Sequence, residues 1–213
     1  MSSKELITET AWNEFIKLSI KRIKKMHDKQ TMYYLSEETF RLDYAFSISN
    51  AKIDPSNVYC EYPCDNSFSQ KLDIFVDVDD GYCIEIKFLR PIPSKKNPPF
   101  TQHYGAILAD MLKLTLLCDK ERSRFLVIVM DDNFHNYFVN KGLLSRGATE
   151  EHIHKIMPNF LPITAVKEIQ KRLKNISIPK PLSIKIHTLK IYKMKHYFLY
   201  LLEIKPLTQI DVF

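Results

Sequence analysis

Apolar residues recur along this chain with two different periods. Leu6, Ile7, Trp12, Phe15, Ile16, Ile23 and Met26 approximate a helical stripe and predict a helix from about residue 4 to 28. Ser36 reads as the N-cap of a second helix running to about Ser49, with Glu37 and Glu38 in its acidic first turn. The spacing then changes. Residues 58–62 form a short strand candidate, and 71–78 and 82–89 form two stronger ones joined by Asp79-Asp80-Gly81. An Asp-Gly step between two such runs predicts a hairpin. Pro91, Pro93, Pro98 and Pro99 mark a loop, after which helical spacing returns over about 101–118. Residues 125–130 are continuously apolar, as a buried strand requires. The stretch 131–175 is expected to be mostly helical, broken near Gly142 to Gly147 and by Pro158 and Pro162. Two last strands, 182–192 and 197–205, read as a basic hairpin.

This order predicts an α/β fold with a mixed sheet flanked by helices. A single domain over 1–213 is expected, with a core at about 36–130 and a helical and basic-hairpin extension at about 131–213. The apolar and charged fractions, 45% and 26%, belong to a globular protein with a sizeable core. No apolar run follows Met1 and none reaches membrane-spanning length, so no membrane partner and a cytoplasmic location are expected. Cys60 and Cys64 lack a second pair at zinc spacing and are read with Cys83 and Cys118 as thiols. With only four glycines, no glycine-rich phosphate loop can form, which excludes P-loop and dinucleotide-binding folds.

Charge is uneven. Residues 167–205 hold ten Lys/Arg and two Glu, a balance of +8, against −2 for the rest and +6 for the whole. A basic end beside an acidic remainder suits either a polyanion partner or a solvated lysine-rich surface.

The chemistry is concentrated in the first hairpin. Alternation along a strand puts Cys83, Glu85 and Lys87 on one face and Tyr82, Ile84, Ile86 and Phe88 on the other. A Glu and a Lys in so apolar a strand are costly to bury unless they are used. Asp73 interrupts Leu72, Ile74, Phe75 and Val76 in the same way, and the hairpin would bring it towards Glu85. Two converging carboxylates form a hard oxygen site suited to Mg²⁺ or Mn²⁺, and the Ile86 carbonyl could add a ligand. Lys87 would then orient the attacking water or stabilise the phosphorus centre.

Asp73, eleven intervening residues and Glu85-Ile86-Lys87 resemble the PD-(D/E)XK nuclease superfamily, which includes most type II restriction endonucleases. The resemblance covers about residues 36–130, with Leu72 in place of the proline before the Asp. It implies a restriction endonuclease-like core and a Mg²⁺-dependent DNA endonuclease of restriction or another defence role. Double-stranded DNA would be the partner, and two-strand cutting would need a homodimer or sequential nicking. It also implies a Glu from the preceding helix. Glu38, on one face with Leu42 and Ala45, is expected to point inward, and Glu37, aligned with Arg41, outward. The catalytic set is thus Asp73, Glu85, Lys87 and Glu38, with metal ligands Asp73, Glu85, Glu38 and the Ile86 carbonyl. Glu203-Ile204-Lys205 repeats the triplet with no Asp or Glu between Ile176 and Lys195, so it is read as a structural strand end.

DNA contacts are expected from Arg90, Lys95 and Lys96 in the proline loop, from Gln102 at a helix N-terminus, and from Lys185, Lys190, Lys193 and Lys195 in the basic hairpin. Asp110 and Lys113 are expected to form an exposed helical pair, and His135, His152 and His154 to lie on the surface. The contrasting expectation is a nucleic-acid-binding or assembly protein with the nuclease fold and no turnover.

Overall fold

The computed structural model describes residues 3–64, 70–78, 80–89, 99–119, 121–174 and 182–205. Helices α1 (Ser3–Asp28) and α2 (Glu37–Asn50) precede strands β1 (Val58–Pro63), β2 (Lys71–Val76) and β3 (Tyr82–Phe88). Helix α3 (Phe100–Leu117), strand β4 (Ser123–Asp131), helix α4 (Asp132–Asn140) and strand β5 (Glu151–Ile156) follow. Helix α5 (Ile163–Arg172) and strands β6 (Leu182–Met194) and β7 (Tyr197–Ile204) complete the order. The expected elements thus form within a few residues of their positions. The exception is β5, which falls in the stretch expected to be mostly helical. Its side chains alternate between exposed and inward before ending on buried Ile156, and its ladder partner β6 supplies the bonds that local spacing could not predict.

All the strands join one seven-stranded sheet in the order β1-β2-β3-β4-β7-β6-β5. Among the described strands only β3 and β4 run parallel, and α3 makes the crossover that a parallel pair requires. Strand β7 pairs with β4 from Phe125–Glu203 to Asp131–Tyr197, so the basic hairpin is built into the sheet. This is an α/β protein whose mixed sheet is covered on both faces.

One face carries α1 and α2. Trp12, Phe15 and Ile16 of α1 and Phe40, Tyr44 and Ile48 of α2 bury Ile74, Ile84, Ile86 and Val127. Arg22 locks these helices together by donating from Nε to both Asp43 oxygens, at 3.1 and 3.0 Å. Ser36 caps α2 through a reciprocal capping box with Thr39. The opposite face packs Ile107, Leu108 and Leu112 of α3, Phe134 and Phe138 of α4 and Ala165 and Ile169 of α5 on Cys83, Leu126 and Ile128. Strand β3 is therefore buried on both faces while still alternating. Its even positions meet α1 and α2, and its odd positions face α3. At the hairpin, Gly81 adopts φ +82 and donates to the Val78 carbonyl at 3.0 Å. Asp79 lies outside the described residues.

Candidate functional site

The β2–β3 ladder pairs Val76 with Tyr82, Phe75 with Cys83 and Ile74 with Ile84. The same register would put Asp73 opposite Glu85. At that point Asp73 does something else: its Oδ2 accepts from the Ile86 backbone N–H at 2.7 Å. A carboxylate thus satisfies a donor on the neighbouring strand, and Asp73 is fixed beside Glu85. Its other oxygen accepts from Arg41 Nη2 of α2, whose Nη1 reaches Glu61 at 3.0 Å.

Glu85 and Lys87 share the α3 side of β3, as alternation requires. Glu85 is 1% exposed, and its Oε1 lies 2.7 Å from Lys113 Nζ. Burial, then the neighbouring Asp73 charge, pushes its carboxyl well above the ordinary range, against the pull of Lys113. Lys87 Nζ lies 3.2 Å from Glu37 Oε1 and 3.1 Å from Asp110 Oδ2. Burial works against its charge, yet Asp110, Glu37 and Asp73 outweigh burial and raise its pKa. Lys87 is therefore held as an ammonium. Lys113 is likewise raised, because Glu85 and Asp110 overcome its burial.

The structure reverses the expected orientations of the two helix-start acids. Glu38 is exposed, and Glu37 reaches Lys87 and accepts from the Phe88 N–H at 3.4 Å. Leu42, on the face of Glu38, is 59% exposed; the buried face of α2 is Phe40, Asp43, Tyr44, Ser47 and Ile48. Burial raises the Glu37 carboxyl, opposed by Lys87. Asp110 and Lys113 are not an exposed pair. Asp110 is 4% exposed and faces Lys87, while Lys113 faces Glu85 and donates to the Lys71 carbonyl at 2.7 Å. The signal for them existed in the sequence: both interrupt the most apolar stretch of α3.

Gln102 is exposed, and its Nε2 donates to Glu168 Oε2 at 3.4 Å. The hairpin lysines are engaged within the chain. Lys185 pairs with Glu151, Lys190 donates to Asn13, Lys193 lies 5.3 Å above the Phe198 ring, and Lys195 pairs with Asp28. Arg90, Lys95 and Lys96 lie outside the described residues. His154 is buried, not on the surface, bonded to the Tyr104 hydroxyl and the Gly142 carbonyl, both at 3.0 Å. His135 stacks on Phe198, and His152 contacts the Leu143 carbonyl at 3.1 Å. The repeated triplet ends β7, where Lys205 pairs with Glu203 at 2.5 Å.

In chemical kind, Asp73, Glu85 and the Ile86 carbonyl suit a hard divalent ion, and a cation would relieve the repulsion between the two acids. In number the set is sparse. Among the described residues, no group of three or more His, Cys, Asp or Glu stands ready to hold a metal ion. A bound ion would have to compete with Arg41 for Asp73 and with Lys113 for Glu85.

Fold and site together define an α/β protein with a buried acid–lysine centre on the inner strands of a mixed sheet. No family model, no curated protein and no solved structure matches this chain.

Proposed function

We propose that the chain is a Mg²⁺-dependent DNA endonuclease with a PD-(D/E)XK, restriction endonuclease-like core, serving restriction or another defence function. One observation carries this reading. Asp73 is fixed beside Glu85 by the Ile86 N–H, where the β2–β3 ladder gives way, and Lys87 shares the face of Glu85; the Asp73 charge helps to raise both the buried Glu85 carboxyl and the Lys87 ammonium. Buried groups perturbed by a neighbouring charge in this way are a mark of functional sites. Asp73 and Glu85 would hold the ion, which supplies charge neutralisation at the scissile phosphate and a more acidic bound water. Lys87, kept protonated, donates to a phosphate oxygen or to the attacking water and does not act as a base. Glu37 and Asp110 hold its ammonium in place. Localisation in the cytoplasm and assembly as a homodimer for two-strand cutting belong to the same proposal.

The second reading, a nucleic-acid-binding or assembly protein without turnover, is favoured by one feature. Arg41 and Lys113 already neutralise both acids with no ion needed. Incubation with plasmid and linear duplex DNA, with Mg²⁺ and with chelator, separates the two. The nuclease reading expects Mg²⁺-dependent cutting that is lost in Asp73→Ala and Lys87→Ala. Cutting that survives both substitutions refutes the site, and tight metal-independent binding without cutting establishes the second reading.

A further inference from the structure

Helix α5 belongs to the stretch expected to lie outside the core, yet it is joined to the site at several points. Gly105 of α3 admits it. A Cβ there would stand 2.5 Å from the Ala165 carbonyl oxygen and 2.7 Å from the Ala165 Cα. Those are backbone atoms that cannot rotate aside, so glycine is what lets the helices approach this closely. Thr164 donates to Thr101 at 2.7 Å, and Gln70, at the start of β2, donates to the Arg172 carbonyl at 2.7 Å. Helix α5 is thus tied by its first turn to the helix that carries Asp110 and by its last residue to the start of the strand that carries Asp73.

This docking aims two side chains, one helical turn apart, at the site. Glu168 is 6% exposed and accepts from Gln102 at 3.4 Å and from Arg172 Nε at 2.6 Å. Arg172 keeps 40% of its side chain exposed. Glu168 engages its Nε, and among the described residues neither Nη has a hydrogen-bond partner. Its charge is felt by Lys87 and by His103, and it in turn feels Asp110 and Glu37. Burial, Arg172 and Lys87 together lower the His103 pKa, so His103 adds no positive charge at neutral pH. The corner beside Lys87 therefore holds a half-open guanidinium, pre-oriented by a buried carboxylate. A planar fork of this kind matches phosphate oxygens bidentately.

We propose that Arg172 is a substrate-binding residue of the same site, gripping a phosphate of the nucleic-acid backbone beside the one at Lys87, with Glu168 and Gln102 as its positioning residues. This rests on the nuclease reading for the identity of the polyanion.

Labelled duplex DNA titrated in chelator across about 50 to 200 mM salt tests it, with wild type, R172Q and R172K. We expect R172Q to bind about tenfold more weakly and to lower the salt slope by about one, with a lower melting temperature because buried Glu168 loses its guanidinium partner, so binding is measured well below that temperature. R172K should restore the slope but not the full affinity, since an ammonium lacks the fork. Unchanged affinity and slope in R172Q overturns the proposal, as does a fall in melting temperature with an unchanged slope. If wild type binds the duplex but never cuts it with Mg²⁺, the nuclease reading fails and the slope still decides Arg172. If wild type binds neither duplex, single strand nor RNA, both fail.

Discussion

Replacing Lys87 by Met keeps the apolar stem and removes only the ammonium. That ammonium sits between Glu37 at 3.2 Å and Asp110 at 3.1 Å, with its side chain 9% exposed. Two unit charges about 3 Å apart attract by roughly 5 kcal/mol at an effective dielectric near 20, and desolvation of the lysine offsets much of that. Removing one member of a buried pair exposes the penalty on the other, typically about 3–5 kcal/mol. Such a loss is comparable with the whole stability of a small domain, so Lys87→Met is expected to be marginal at neutral pH. Asp110→Asn added to it should recover most of the loss, because the deeply buried orphan charge is then gone. Urea unfolding of wild type, both single variants and the double variant gives the coupling free energy directly. The deficit also has a pH sign. Glu37 already has a raised folded-state pKa. Without Lys87 it rises further, so the folded state binds the extra proton more readily than the unfolded chain does. The deficit of Lys87→Met is then absent below the unfolded carboxyl pKa and grows as pH rises through the folded value. A loss under about 1 kcal/mol, no rescue by Asp110→Asn, or a deficit that shrinks with rising pH would each refute this account of the centre.

Glu85→Gln removes a carboxyl that burial and Asp73 keep well above its ordinary pKa. A group raised in this way costs stability as pH rises from the unfolded value through the folded one. Thermal melts should therefore show a flatter neutral-pH decline in Glu85→Gln, with DNA cutting abolished; a steeper decline contradicts the assignment. Gly105→Ala sets a Cβ of α3 against the Ala165 backbone, forces α5 away from α3 and should cost about 1–3 kcal/mol by urea unfolding, together with weaker duplex binding if the nuclease reading holds. Unchanged stability would mean that the close helix approach is not maintained in solution.

Much of the molecule is legible from local pattern. Alternation in residues 82–88 fixes which side chains of β3 share a face, whatever covers them, because successive side chains leave a strand in opposite directions. Gly81 and the serine cap at Ser36 follow from backbone demands of one turn and one helix end. Even the contrast between the two Glu-Ile-Lys triplets is readable, since only Glu85 has an acidic partner on a neighbouring strand. Glu37 and Glu38 show where local pattern stops. They are 100° apart on one helix, and Leu42 made the wrong side look buried; only the docking of α2 beside the end of β3 selects Glu37. Asp110 and Lys113 have helical spacing equally suited to a surface pair, and it is β3, more than twenty residues earlier, that gives each a different partner. The sequence by itself determined every strand but β5, and the Asp73, Glu85 and Lys87 faces, because those depend on nearest neighbours, whereas β5 depends on its partner β6. Tertiary structure decided which helix charges complete the centre and that α5 adjoins it, because a charge on a helix takes its meaning from the element that packs against it.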